Sequence, residues 1–125
     1  MEVLTLELKT TIEDLLLVKL EKDLLIELDN KIYTKNDFYI EIDSSEYRFI
    51  NADAIWWIYQ DELEQLIKDS YLGGIELPYW LEINWEQTCE NVLNADGYGN
   101  HFSRYDGSEL EFNLNGENWY IFRTN

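Results

Sequence analysis

The chain has 125 residues, 26 of them Asp or Glu against 9 Lys or Arg, for a formal net charge of -17. That length fits one domain, and a composition 46% hydrophobic and 15% aromatic supplies a core, which excludes wholesale disorder. The charge excludes direct binding to nucleic-acid phosphates or to an anionic membrane, since both need clustered Lys and Arg.

The single cysteine, Cys89, excludes an internal disulfide framework and fits a reducing compartment. The start of the chain lacks the basic and apolar regions of a signal peptide. The longest apolar runs, 15–18 and 54–59, fall far short of the roughly 20 residues of a membrane span. A soluble, cytoplasmic protein is expected.

In chain order, residues 2–9 alternate apolar and polar side chains close to strand period. Residues 12–29 admit two readings. Thr11 and Asp14 resemble a helix-start capping box, with Leu15, Leu16, Lys19 and Leu20 on one helical face. Leu16-Leu17-Val18-Lys19-Leu20 and Leu24-Leu25-Ile26-Glu27-Leu28 also read as two strands around Glu21-Lys22-Asp23, and strands are preferred. Phe38-Tyr39-Ile40-Glu41-Ile42, the turn cluster at 43–46 and Tyr47-Arg48-Phe49-Ile50 predict a hairpin.

Asn51 or Asp53 is placed to cap a helix running to about Ser70. In it Ile55, Trp56, Tyr59, Leu63, Leu66 and Ile67 share a face, and Gly73-Gly74 closes it. Residues 75–83 hold the one proline, Pro78, and read as an edge strand or an extended connection. Asn84, with Gln87 to close a capping box, starts a short helix to about Leu93. Residues 94–108 hold three glycines and read as an exposed loop. Leu110, Phe112 and Leu114, the Asn115-Gly116 turn and residues 119–123 predict a second hairpin. The expected fold is α+β, a single domain with two helices packed against an antiparallel sheet.

The charge is the strongest functional signal. A domain of this size is about 35 Å across, and duplex DNA carries about 20 phosphate charges over that length. A net charge of -17 is comparable in total. Between residues 49 and 103 the one Lys or Arg is Lys68, so the helical middle is almost unopposed negative charge. Such a surface is steered rapidly onto a basic, nucleic-acid-binding cleft of another protein. Acidic surfaces also serve solubility, yet a net charge of about 2–8 suffices for that in a small domain.

Aromatic side chains supply anchors. Trp56 and Trp57 are adjacent and cannot both face inward on a narrow stripe, and Tyr79, Trp80 and Trp85 follow in the acidic middle. An aromatic-rich core with polar tips at the surface is the plainer alternative for any one of them. The candidate partner-binding set is Asp53, Trp57, Asp61, Glu62, Glu64, Asp69, Glu76, Trp80, Glu82, Glu86 and Glu90.

Catalytic and metal chemistry find little support. Asn94, Asp96 and Gly99 match the first, third and sixth positions of a calcium loop, but Tyr98 and Tyr105 stand where the fifth needs Asp or Asn and the twelfth a bidentate Glu. No metal or cofactor is expected. His101, the sole histidine, could pair with Asp96, Asp106 or Cys89, although a loop-organising role is the preferred reading. Nucleophile-elbow, phosphate-loop and paired-cysteine motifs are absent from the sequence.

In size, charge and its Asp61-Glu62-Leu63-Glu64 helical middle, the chain resembles the small acidic inhibitors of phages and mobile elements that blunt host defence nucleases. These are the anti-CRISPR and antirestriction proteins that imitate DNA. The resemblance implies stoichiometric, non-catalytic binding at the DNA-recognition cleft of a nuclease in the host cytoplasm. Two other classes stay open: an immunity protein that neutralises a basic nuclease toxin, and a small enzyme or ligand-binding domain built on residues 94–108.

Overall fold

The computed structural model describes residues 3–125, including all their side chains except those of residues 3–5 and 71. Helices α1 (Val3–Leu16) and α2 (Lys22–Thr34) precede a hairpin of β1 (Asp37–Ile42) and β2 (Ser45–Asn51). Helix α3 (Ile55–Leu66) runs into a π turn (Ile67–Tyr71), and α4 (Trp85–Phe102) leads to a second hairpin, β3 (Leu110–Leu114) and β4 (Glu117–Arg123). The strands form one antiparallel sheet in the order β1-β2-β4-β3. The α+β class is as the sequence predicts, with four helices among the described residues where two were expected.

The first 34 residues are the main correction. Both regions read as strands, 2–9 and 12–29, lie in or between helices, apart from Glu2, which is outside the described residues. The buried positions show why. Leu8 and Ile12 are four apart, and Leu25, Leu28 and Ile32 step by three and four, which is helical spacing. Lys9–Glu13 and Lys31–Glu27 ion pairs at 2.9 Å bridge successive turns. Glu21-Lys22-Asp23 is then no hairpin turn but the start of α2, with Glu21 in extended backbone ahead of it. Glu13 Oε2 accepts a hydrogen bond from the Leu20 N–H at 2.7 Å and ties the two helices' connection to α1.

The sheet separates two apolar cores. On one face Phe38, Ile40, Phe49, Trp119 and Ile121 pack with Leu8, Ile12, Leu25 and Leu28 of α1 and α2. On the other, Ile50 and Phe122 pack with Ile55, Tyr59 and Leu63 of α3 and Cys89 and Phe102 of α4. Tyr47, Arg48, Phe49, Ile50 and Asn51 of the central β2 are therefore all buried. Both hairpins turn tightly. Asp43 and Ser44 have φ of 50° and 71°, Asn115 and Gly116 of 52° and 86°, the paired positive values that suit the twist of two-residue hairpins.

Helix α4 is capped as predicted, the Asn84 side chain accepting from the Gln87 N–H at 3.0 Å, though the Gln87 side chain turns to Asn91 instead of closing a box. It does not stop near Leu93. It breaks at Gly97 (φ 77°) and resumes to Phe102, so residues 94–108 are only partly loop, and Gly99, Phe102 and Ser103 are buried. Burial pushes the Glu109 carboxyl up, and the nearby N–H groups of Gly99 and Tyr98, at the start of the resumed helix, work against that rise. A Cβ on Gly99 would run into the carbonyl oxygen of Gly107, which is why glycine stands there. Residues 75–83 form no strand and belong to an extended connection.

Candidate functional site

Helix α3 sets the geometry of the acidic surface. Ile55, Tyr59 and Leu63 face the sheet, so at 100° per residue the opposite line carries Trp57, Asp61 and Glu64. Asp53 stands just before the helix, exposed, where the Asn51 side chain accepts the Asp53 N–H at 2.9 Å. Trp57 is 66% exposed between these acids. From Trp57 to Glu64 the line extends for about 10 Å at 1.5 Å per residue, with Asp69 off it in the π turn that follows.

The segment 72–84 meets the end of α3 and the π turn around a hollow that Gln65, Lys68 and Asp69 line together with Glu76 and Glu82. Glu76 and Glu82 are exposed on this segment, with Tyr79 and Trp80 at 98% and 71% exposure. Glu86 and Glu90, four apart on α4, are exposed as well. Asp53, Asp61, Asp69, Glu76, Glu82, Glu86 and Glu90 make no ion pair with any described residue. Lys68 is already engaged, 3.0 Å from Glu64 and with its Nζ 5.4 Å from the Trp85 ring centre.

Two residues of the predicted set stand apart. Glu64 is the partner of Lys68, so its charge is locally compensated. Glu62 points the other way, to Arg48 on β2. Arg48 Nη1 and Nη2 donate to Glu62 Oε1 and Oε2 at 3.1 and 2.6 Å, while Nε and Nη2 donate to Asp37 at 2.8 and 2.7 Å. His101 Nε2 lies 3.1 Å from Glu62 Oε1. Burial works to raise the Glu62 carboxyl, but the hydrogen bonds with His101 and Arg48 prevail and hold it at about 2. Burial likewise opposes the Arg48 charge, and the two carboxylates override it, so the guanidinium stays firmly protonated. Sequence spacing gave no sign of this cluster, because its members come from β1, β2, α3 and α4. The one available signal was an arginine among the apolar residues Tyr47, Phe49 and Ile50 of β2.

His101 is thus paired with Glu62 and not with Asp96, Asp106 or Cys89. Its ring packs edge-on against Tyr59 and Phe102, with centres 5.4 and 4.7 Å away. An imidazole beside an ionised carboxylate has the geometry of an oriented base, and equally that of a tie between α3 and α4. Cys89 is fully buried, its Sγ directed to the Gln60 carbonyl at 3.8 Å, and burial pushes its thiol up. No group of three or more potential metal ligands gathers among the described residues. No helix among them is long and apolar enough to cross a membrane. Compared with known proteins, the chain matches no family model, no curated protein and no solved structure.

Proposed function

We propose that this protein is a non-catalytic inhibitor that acts in the host cytoplasm. In this reading it occupies the basic, nucleic-acid-binding surface of a host defence nuclease of the CRISPR or restriction type. The observation that supports it best is the set of exposed acids that make no ion pair with any described residue, Asp53 just before α3, Asp61 beside Trp57 on it, and Glu76 and Glu82 in the segment after it. A surface of that sign competes for cationic side chains that otherwise hold phosphates. Trp57 and Trp80 add aromatic contacts that DNA cannot make. Glu62 is left out of this interface, since its carboxylate serves Arg48.

The test is DNA cleavage by candidate nucleases, guide-loaded and restriction types, titrated with the protein. Inhibition should be stoichiometric and relieved by excess substrate DNA. Joint reversal Asp53→Lys, Asp61→Lys, Glu76→Lys and Glu82→Lys should abolish it, while each single reversal weakens it by about 3-fold or less. Full inhibition by the joint variant would sink the proposal. Binding of a small basic toxin, dominated by one or two side chains, would move the reading to an immunity protein.

A further inference from the structure

The connection between the π turn and α4 is built unlike the rest of the molecule. Its backbone order comes from turns alone. The Gly74 N–H donates to the Lys68 carbonyl at 2.9 Å, Ile75 to Leu72 at 3.0 Å and Leu81 to Pro78 at 3.0 Å. The turn begun by Pro78 lifts Tyr79 and Trp80 out into solvent. Ile75, 73% exposed, leaves the surface nearby. So much uncovered apolar side chain in one segment of a small domain marks an interaction site.

Beneath this strap lies a hollow of about 640 Å³. Leu72, Leu77, Leu81, Ile83 and Trp85 give it an apolar lining. Asp69, Glu76 and Glu82 stand at the same opening, and the one cation there, Lys68, is held by Glu64 and the Trp85 ring. An occupant is thereby specified twice over, by an apolar interior and by an anionic mouth.

A small ligand in the hollow would leave Tyr79 and Trp80 in water, whereas a polypeptide lying across the strap would cover them. A second copy of this chain is disfavoured, because it would set the same acids against each other at a net charge of -17 apiece. An anionic lipid surface is repelled for the same reason. We infer that the strap and its hollow form a docking site for a cationic polypeptide segment of the partner, which inserts one large apolar side chain into the hollow. Lys or Arg residues on either side of that anchor meet Glu76 and Glu82. The inference rests on the proposed reading in one respect, that the partner surface is basic, and adds that the partner carries an apolar anchor separate from the contact made by α3.

Two labelled peptides test it by fluorescence anisotropy with the full chain, at about 150 mM salt to screen diffuse attraction. One is Lys-Arg-Leu-Phe-Arg-Lys, the other Lys-Arg-Gly-Ser-Arg-Lys, with the same charge and no anchor. The anchored peptide should bind about 10-fold tighter or more, and Leu81→Glu or Trp80→Ala should remove that advantage. Circular dichroism and thermal melting check that these variants fold; both side chains lie outside the two cores. The pair Asp53→Lys and Asp61→Lys should change binding of the anchored peptide by about 2-fold or less. Equal binding of the two peptides, or loss of the advantage through the α3 pair alone, would overturn the inference. So would a Trp80-dependent dimer seen in sedimentation. Equal peptide binding alongside nuclease inhibition that still depends on α3 would remove the anchor and keep the proposed function. An anchored peptide that needs the strap, with inhibition indifferent to α3, would do the reverse.

Discussion

Arg48 and Glu62, separated by 14 positions, meet in a two-pronged contact at 3.1 and 2.6 Å that joins the centre of the sheet to α3. Arg48 is only 8% exposed, and it also lies over the Phe102 ring at 5.0 Å. One buried cation therefore fixes where α3 and α4 sit on the sheet, and with them where the acidic surface faces. The arginine of this cluster points inward, while outer acids such as Asp53, Asp61, Glu76 and Glu82 make no ion pair with any described residue.

That contact makes stability depend on pH in a definable window. The Glu62 carboxyl is depressed from its ordinary 4.5 to about 2, so its contribution is full above 4.5 and disappears as pH falls through about 2. Its side chain is 36% exposed, so solvent screening trims the effect to about 1–2 kcal/mol. Urea denaturation of the natural chain and of Glu62→Gln should show that gap at pH 7, and its closure between about pH 4.5 and 2. The comparison between the two proteins matters, because acid also relieves the repulsion among the other carboxylates. A gap that stays constant with pH would refute the linkage.

Two glycines should respond differently to alanine. Gly74 has φ of 72° with open space around it, so Gly74→Ala should cost about 1 kcal/mol of left-handed backbone strain. Gly99 meets the backbone of Gly107 and Ser108, so Gly99→Ala should cost about 3 kcal/mol. Thermal melting of both variants would expose an error if their order were reversed.

Two tryptophans separate surface from core. Trp119 is buried against Phe38 at 5.8 Å between ring centres, and Trp119→Ala should destabilise by about 3–5 kcal/mol. Trp57→Ala should change stability by about 0.5 kcal/mol or less while weakening partner binding. A large loss of stability in Trp57→Ala would show that the residue supports the fold.

The Cys89 thiol should be shielded. It is fully buried and pushed up by burial, so a thiol-reactive disulfide reagent should modify it about 100-fold more slowly in the native protein than in denaturant. Rapid native labelling would mean that α3 and α4 separate readily.

Both hairpins and the start of α4 were legible because each rests on local chemistry: Asn115-Gly116, the cluster at Asp43-Ser44, and Asn84 as a cap. The N-terminal helices were not, since runs such as 16–20 and 24–28 fit a strand and a buried helix face alike. What decides between them is the sheet face that Leu8, Ile12, Leu25 and Leu28 cover, a partner supplied by residues far along the chain. Residues 94–102 misled for a different reason. Their Asn, Asp and Gly content reads as loop, while only Gly97 departs from helix. At the candidate site Asp61 and Trp57 could be placed on the outer face from the α3 periodicity. The inward turn of Glu62 could not, because its cause is Arg48 on a different element.

The sheet order carries one more consequence, for the history of the molecule. Strand β4 sits between β2 and β3 and lends Trp119 and Ile121 to one core and Phe122 to the other. During synthesis neither core can close until residues 117–123 have left the ribosome, however early the helices form. Until then the apolar faces of β2 wait uncovered, and the nascent chain relies on mutual repulsion among its many carboxylates to stay apart from its neighbours.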